Sequence, residues 1–376
     1  MRVLLFHFTE LGSLGGVDVA VVTLAEALLA RGFSPAIAEI TPEGKPPRTL
    51  PSGIPVWSVA SSSYPSPSRP RSWASFVRST LQFRKVLNDF RPGIVHVHFP
   101  VAQCLPAVAL ASFPHKWKLI ATVHNSDIRV SPIQAPAIIP WQGRLFDRAD
   151  SLTAVSQSLL DDADTAYPNF RAKARVIRNG VGPRWFQLPL EPDPNANYVL
   201  FVGRLHPVKG VDVLLHAWKS ASALFPKTEL WIAGDGPHRQ EYETLVKDLN
   251  LSSSIRFLGR KSEEDLPLLY RNSRILVLPS RREGLPITLL EAGACGAICI
   301  GTQTPGIPEI INENQTGFVV PTDSPEQLSQ AIIKSLQMSP AQSLAFRQAA
   351  RKRIVDEFSE SGMIDQYVSL YQSVLR

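Results

Sequence analysis

Two glutamates with seven residues between them, Glu283 and Glu291 in S-R-R-E-G-L-P-I-T-L-L-E-A-G-A-C-G (280–296), open the chemical reading of this chain. Glu283 falls in a loop after an apolar strand, where its carboxylate can accept hydrogen bonds from sugar hydroxyls. Glu291 lies more than one turn into the helix that Pro286 helps to start, placed to accept them from ribose hydroxyls. Between the two, the amides after Gly284 and the helix N-terminus can meet an anion. A solvated loop glutamate and a helix-surface glutamate share this spacing, so the other segments decide. In F-V-G-R-L-H-P-V-K-G-V-D (201–212) a strand ends at Gly203 and a helix begins near Gly210. Arg204 and Lys209 then stand at a strand's carboxyl end, a fork and a point charge suited to a diphosphate. Gly12, Gly15 and Gly16 follow the first strand and let amides approach a phosphate. Their spacing is not G-x-G-x-x-G, which disfavours a nicotinamide site. His124 in T-V-H-N-S-D directly follows another strand and is placed to touch a ligand. His96 and His98 alternate along a strand and read as packing or cleft-lining residues, not metal ligands. Asp162 and Asp164 imitate a D-x-D metal motif, but within a helix, Gln157–Ala166, and read as a solvated face.

The elements that must position these residues alternate along the whole chain. Strands are expected at Val3–Phe8, Ala36–Ile40, Val56–Val59, Ile94–Val97, Leu119–Val123, Leu152–Val155 and Arg175–Ile177, with an amphipathic helix at Val17–Arg31. Pro183, Pro189, Pro192 and Pro194 then interrupt all periodicity, as a linker would. Alternation resumes with strands at Val199–Val202, Glu229–Ala233, Ile255–Leu258, Ile275–Leu278 and Ile298–Ile300, and Gln327–Leu375 reads as helical throughout. Residues 41–70, rich in Pro and Ser, read as a long connection around one short strand. The fold class is therefore α/β: two doubly wound parallel-sheet domains facing across a cleft, with ligands at the carboxyl ends of the strands. The expected domains are 1–182, completed by a C-terminal helix 358–376, a linker 183–197, and 198–357.

Composition fits this. A length of 376 residues, 44% hydrophobic, supplies two cores and a soluble globular chain. A net charge of +6 and a pI near 9.3 suit anionic partners, but no compact basic patch with aromatics points to nucleic acid. Cys104, Cys295 and Cys299 form no disulfide framework or C-x-x-C pair, in keeping with a reducing cytosol. The apolar N-terminus is too brief for a signal peptide, and no apolar run is long enough to span a membrane.

At these residues the chain resembles glycosyltransferase family 4, the retaining group with the GT-B fold. G-R-L-H-P-V-K-G, A-G-D-G-P (233–237), F-L-G (257–259), L-P-S (278–280), E-G-L-P with its second glutamate, and P-G-I-P-E (305–309) occur in the family's order. Upstream, L-G-G-V, T-V-H, A-V-S (154–156) and N-G-V (179–181) match too. The resemblance implies that Arg204 and Lys209 bind and stabilise the departing diphosphate, that Glu283 holds the donor sugar, and that His124 lies near it. It implies donor binding at Gly15, Gly16, Gly203, Gly234, Arg260, Gly284, Leu285, Pro286 and Glu291, with Glu291 on the ribose and Arg260 near the base. It also implies a final helix, Phe358–Leu375, crossing back onto the first domain. Gly182, where the family has Asp, and Thr304-Pro305-Gly306, where it has paired glycines, depart from the pattern.

The expected reaction is metal-independent, cofactor-free transfer from a UDP- or GDP-sugar to a lipid-linked or polysaccharide acceptor, in the cytoplasm or on the inner face of the plasma membrane. No nucleophilic carboxylate is evident, which favours front-face attack. Arg71, Arg78 and Lys85 share one face of a helix whose apolar side draws on Trp73, Phe76, Val77, Leu81 and Leu87. That pattern favours a core helix with a solvated cationic edge, and also offers loose contact with anionic lipid. A non-catalytic sugar-nucleotide binder and an epimerase are the rival readings. The intact cations and glutamates argue against the first, and E-G-L-P against the second.

Overall fold

The computed structural model describes residues 1–12, 15–62, 70–113, 115–134 and 136–376. Ser13 and Leu14 of the glycine-rich loop, and 63–69 of the Pro/Ser-rich stretch, lie outside them. The chain forms two compact units, 1–178 with 360–376, and 179–359.

The first unit is built on β1 (Arg2–His7), β2 (Ser34–Thr41), β3 (Arg48–Thr49), β4 (Pro55–Ala60), β5 (Ile94–His98), β6 (Lys118–Val123), β7 (Ser151–Ala154) and β8 (Ala174–Val176). Their order is β3-β4-β2-β1-β5-β6-β7-β8, parallel except for β3, which runs antiparallel to β4. The central strands are continuous apolar runs because helices cover both faces. The helix Gly16–Ala30 buries Val21, Leu24, Ala25 and Leu28. The same core takes in Met363, Ile364, Tyr367, Leu370 and Tyr371 from the last helix, Glu360–Leu375. That helix carries polar pins as well as apolar ones. The Tyr371 hydroxyl lies 2.8 Å from His96 Nδ1, and His96 Nε2 lies 2.6 Å from Thr122 Oγ1, so the buried imidazole is bonded on both sides.

The second unit is an all-parallel sheet of β9 (Tyr198–Val202), β10 (Glu229–Ala233), β11 (Ile255–Gly259), β12 (Ile275–Leu278), β13 (Cys299–Thr302) and β14 (Gly317–Val320). The order is β11-β10-β9-β12-β13-β14. The proline-rich run is packed down on this unit: Trp185 is buried and its carbonyl accepts from Cys295 Sγ at 3.4 Å. All three cysteines are buried and free, and burial pushes the Cys295 and Cys299 thiols up to about 12. Buried Arg347 donates to the carbonyls of Arg271, Ser273 and Gly296. It thereby satisfies the ends of two helices, Leu266–Asn272 and Ile287–Ala294.

Four sequence expectations need correction. The Pro/Ser-rich stretch holds two strands, β3 and β4, not one. β14 was not foreseen, since four residues after a polar loop carry little periodic signal. The stretch Gln327–Leu375, expected to be helical throughout, is broken at 337–339 and 358–359 into three helices, Pro325–Leu336, Pro340–Glu357 and Glu360–Leu375. A capping box between Ser339 and Gln342 starts the second of these. On the helix Pro70–Phe90, Phe83 and Val86 are buried, while Trp73, Val77 and Leu81 are 48%, 50% and 60% exposed. Part of the expected apolar side thus faces outward, in company with exposed Arg71, Arg78 and Lys85.

Candidate active site

In the second unit, the loops that leave β9 and β12 carry Arg204, Lys209 and Glu283, three of the residues singled out from the sequence. These strands are hydrogen-bonded neighbours, so their carboxyl-end loops emerge side by side. The first loop closes in a short 3-10 turn, Pro207–Lys209, ended by Gly210 with φ 66°. A Cβ at Gly210 would stand 2.0 Å from the Pro279 carbonyl oxygen, so only glycine lets the turn lie against the β12 loop. There Lys209 Nζ reaches Glu283 Oε1 at 2.6 Å, with the glutamate side chain 8% exposed.

Cations collect around His206, in the same loop as Lys209. His206 Nδ1 accepts the Val208 N–H at 3.2 Å. Burial, then the charges of Arg204, His238, Arg282 and Lys209, push its pKa down. Arg204 and Arg282 are exposed. Arg282 is a member that sequence reasoning missed, although it adjoins Glu283 in the same motif. Gly203, Gly234 and Arg260 are brought together through the backbone: Gly203 N–H donates to Ala233 O at 3.0 Å, and Gly234 N–H donates to Gly259 O at 2.8 Å. Arg260 follows directly, exposed, beyond the edge strand β11.

Leu285 is buried, and Pro286 caps the helix Ile287–Ala294 that carries Glu291. Gly306, at φ 95°, packs where a Cβ would stand 2.0 Å from the Gly284 carbonyl oxygen. The Thr304 substitution has a clear role here. Its buried hydroxyl donates to Ser280 O at 2.7 Å, as does Thr302 at 2.6 Å, which pins the following loop to the Glu283 loop. Glu291 is buried and accepts the Tyr270 hydroxyl at 2.9 Å. Burial raises its pKa to about 7, against the lowering effect of that hydrogen bond and of Arg184. Tyr270 had no signal in the sequence beyond its place in a helix.

In the first unit, Gly15 and Gly16 open the helix Gly16–Ala30, with Gly15 at φ 84°. In the loop after β1, Gly12 N–H donates to the Asp18 carboxylate at 2.9 Å, which also pairs with His7 Nε2 at 2.8 Å. Glu39, fully buried on β2, braces the same loop by accepting Leu11 N–H at 3.0 Å and Arg48 at 2.8 Å. Neither His7 nor Glu39 was singled out from sequence, though a charge inside an apolar strand is a legible signal. His124 follows β6, buried, with Nε2 3.2 Å from His98 Nδ1. Its backbone N–H donates to the Asp127 carboxylate. Burial, then His7, lowers the His124 pKa to about 3; burial and neighbouring histidines lower His98 too. Both imidazoles are therefore neutral at pH 7. Asp162 and Asp164 point to the surface and pair with Arg129 and Arg171.

Two family models match the chain in tandem: "Glycosyltransferase Family 4" over residues 14–185 and "Glycosyl transferases group 1" over 187–353. The chain is 27% identical to the glycogen synthase of Mycobacterium tuberculosis, over 96% of this chain and 92% of that one. It is 27% identical to the N-acetyl-alpha-D-glucosaminyl L-malate synthase of Bacillus anthracis, over 75% of each. Among solved structures, sucrose-phosphate synthase from Thermosynechococcus elongatus superposes with TM-score 0.79 at 20% identity, covering 100% of this chain and 99% of that one. Anabaena Alr3699/HepE in complex with UDP and glucose superposes with TM-score 0.79 at 17% identity, covering 99% of both. These likenesses identify the fold as GT-B.

The buried Glu291 generates a stability prediction. Its folded pKa, about 7, exceeds the ordinary carboxylate value, so the folded state holds a proton that the unfolded chain has released. Stability from this residue is complete below the unfolded pKa and is lost as pH rises through about 7. Glu291→Gln keeps the acceptor for Tyr270 and cannot ionise. The variant is expected to gain about 2–3 kcal/mol on wild type between pH 5 and pH 8, read from denaturant melts at both pH values. Parallel pH profiles would refute a buried, proton-holding Glu291.

Proposed function

The chain belongs to glycosyltransferase family 4, and we propose that it moves a sugar with retention from a UDP- or GDP-sugar to a lipid-linked or polysaccharide acceptor, without a divalent metal. The observation that carries this reading is the Lys209–Glu283 pair, 2.6 Å apart, in the cation cluster with Arg204 and Arg282. A sugar diphosphate presents an anion and hydroxyl groups on adjacent atoms, and this pair offers a cation and a carboxylate at the same spacing. A solved fold relative was captured with UDP-glucose, which supports a uridine donor.

Cleavage of the bond between the sugar's anomeric carbon and the phosphate oxygen leaves a cationic sugar and an anionic diphosphate. Lys209, Arg204 and the loop amides after Gly284 stabilise that anion as it forms. The acceptor hydroxyl attacks from the face the diphosphate leaves, and the departing phosphate oxygen takes its proton. Glu283 orients the sugar hydroxyls, Glu291 the ribose, and Arg260 and Gly234 border the nucleotide. For Gly15, Gly16 and neutral His124 of the first unit, a role toward the donor rests on the family resemblance alone. We assign donor binding to the second unit and acceptor binding to the first.

No helix among the described residues is long and apolar enough to cross a membrane. The outward stripe Trp73, Val77 and Leu81, flanked by Arg71, Arg78 and Lys85, supports loose attachment to the cytoplasmic face of an anionic membrane.

Two outcomes are expected. Glu283→Ala, and separately Arg204→Ala with Lys209→Ala, lower transfer by at least the order of 10²–10³ while the protein stays folded. Near wild-type turnover in either removes these residues from the mechanism. In flotation assays at low salt, the protein rises with vesicles rich in phosphatidylserine and not with pure phosphatidylcholine, and Trp73→Ser with Leu81→Ser reduces the bound fraction. Absence of binding at low salt defeats the membrane reading.

A further inference from the structure

Arg281 lies two residues before Glu283, yet its charge is turned away from the cation cluster. Its Nη1 and Nη2 form a bidentate pair with Asp212 at 2.9 and 2.7 Å, and its Nε donates to Asp323 at 2.6 Å. Nη1 also donates to the Pro207 carbonyl, and its backbone N–H donates to Val208 O at 2.8 Å. Each guanidinium nitrogen is thus engaged, with two carboxylates balancing one cation, so Arg281 is a poor diphosphate ligand. The residues it grips carry the meaning. Pro207 and Val208 belong to the turn that presents Lys209; Asp212 stands in the first turn of the helix Val211–Leu224 that follows. Asp323 belongs to the loop after β14.

Loops are mobile by default, and a partly exposed lysine–glutamate pair contributes too little to hold two of them in register. A displacement of about 1 Å at a catalytic group costs on the order of 10² in rate. Something stiffer than the Lys209–Glu283 contact must set the distance between these loops, and a planar fork with three oxygen partners is stiff in a way a lysine is not.

We infer that Arg281 is a positioning residue: its guanidinium, held by Asp212, Asp323 and the Pro207 carbonyl, fixes the turn bearing Lys209 against the loop bearing Glu283. This rests on the donor reading above, in which Lys209 meets the diphosphate.

The test is a double-mutant cycle on the full chain, with Arg281→Met, Lys209→Met and the double variant titrated by calorimetry with UDP, GDP and ADP, using whichever binds wild type. Arg281→Met is expected to weaken that nucleotide about tenfold, and Arg281→Lys to restore less than half of the loss. Because Arg281 acts through Lys209, the double variant should bind no more weakly than Lys209→Met alone. Wild-type affinity in Arg281→Met, with or without a lowered melting temperature, overturns the inference. So do losses that multiply in the double variant. Should Arg281→Met fail to fold, Asp212→Asn takes its place in the same cycle under the same criteria. If Lys209→Met binds nucleotide as wild type does, or wild type binds none of the three, the donor reading itself falls and takes the inference with it. Loss in Lys209→Met with none in Arg281→Met sinks the inference alone.

Discussion

Lys209 and Glu283 are 74 residues apart in the chain and 2.6 Å apart in the fold, and the second unit can be understood as the means of keeping them there. Each stands on a loop, and a loop's position is set by its strand. β9 and β12 are adjacent in a parallel sheet, so both loops leave on the same edge, at the spacing of neighbouring strands. Gly210 removes the side chain that would keep them apart. Thr302 and Thr304 tie the Glu283 loop from its other side through the Ser280 carbonyl. In a salt bridge this shielded, with the side chains 24% and 8% exposed, the cost of desolvating both charges offsets much of their attraction, so it contributes little to stability. Its worth lies in holding a cation and a carboxylate at one point.

The first unit solves the opposite problem for three histidines, which are buried without being left charged. His96, His98 and His124 sit in the interior and are driven neutral by burial. Burying polar groups is tolerable when they are paired, and most of the partners come from far away in sequence, although His98 Nε2 has none among the described residues. Tyr371, on the last helix, reaches His96 on β5, which contacts Thr122 on β6, while His98 contacts His124. The C-terminal helix therefore completes a hydrogen-bond network as well as an apolar core. With Nε2 engaged by His98, a neutral His124 keeps one ring nitrogen, Nδ1, for a further hydrogen bond.

Much of this was legible in the sequence because parallel strands buried on both faces read as unbroken apolar runs. Twelve strands stood where the sequence pattern placed them, within a residue or two, including the partly exposed edge strands β8 and β11. β3 was missed because two residues cannot establish a period, and β14 because its short run opens on a glycine directly after the polar stretch Asn312–Thr316. The helix Pro70–Phe90 shows the limit differently. Its sequence displays apolar residues at helical spacing, but periodicity cannot tell which stripe meets the core. Phe83 and Val86, with the small Ser72 and Ser79, are the buried set, so Trp73, Val77 and Leu81 face out. Likewise the carboxylates and cations of the site were readable as types, whereas their partners were not. Tyr270 and Glu39 act through contacts that form only when distant segments meet.

Arg281 and Arg282 make the same point at the scale of one peptide bond. Nothing in S-R-R-E separates them, and either could serve a diphosphate. Arg281 turns toward Asp212 and Asp323 and is saturated, while Arg282 is exposed and its side chain donates no hydrogen bond among the described residues. Arg204, also exposed, shares that state. A cation whose donors are already satisfied by carboxylates and carbonyls would have to break those bonds to bind a ligand. One left without internal partners gives up only water. What distinguishes a binding cation from a structural one here is the number of acceptors the fold has placed within its reach, and for neighbouring arginines that number is decided by the direction in which the loop happens to run.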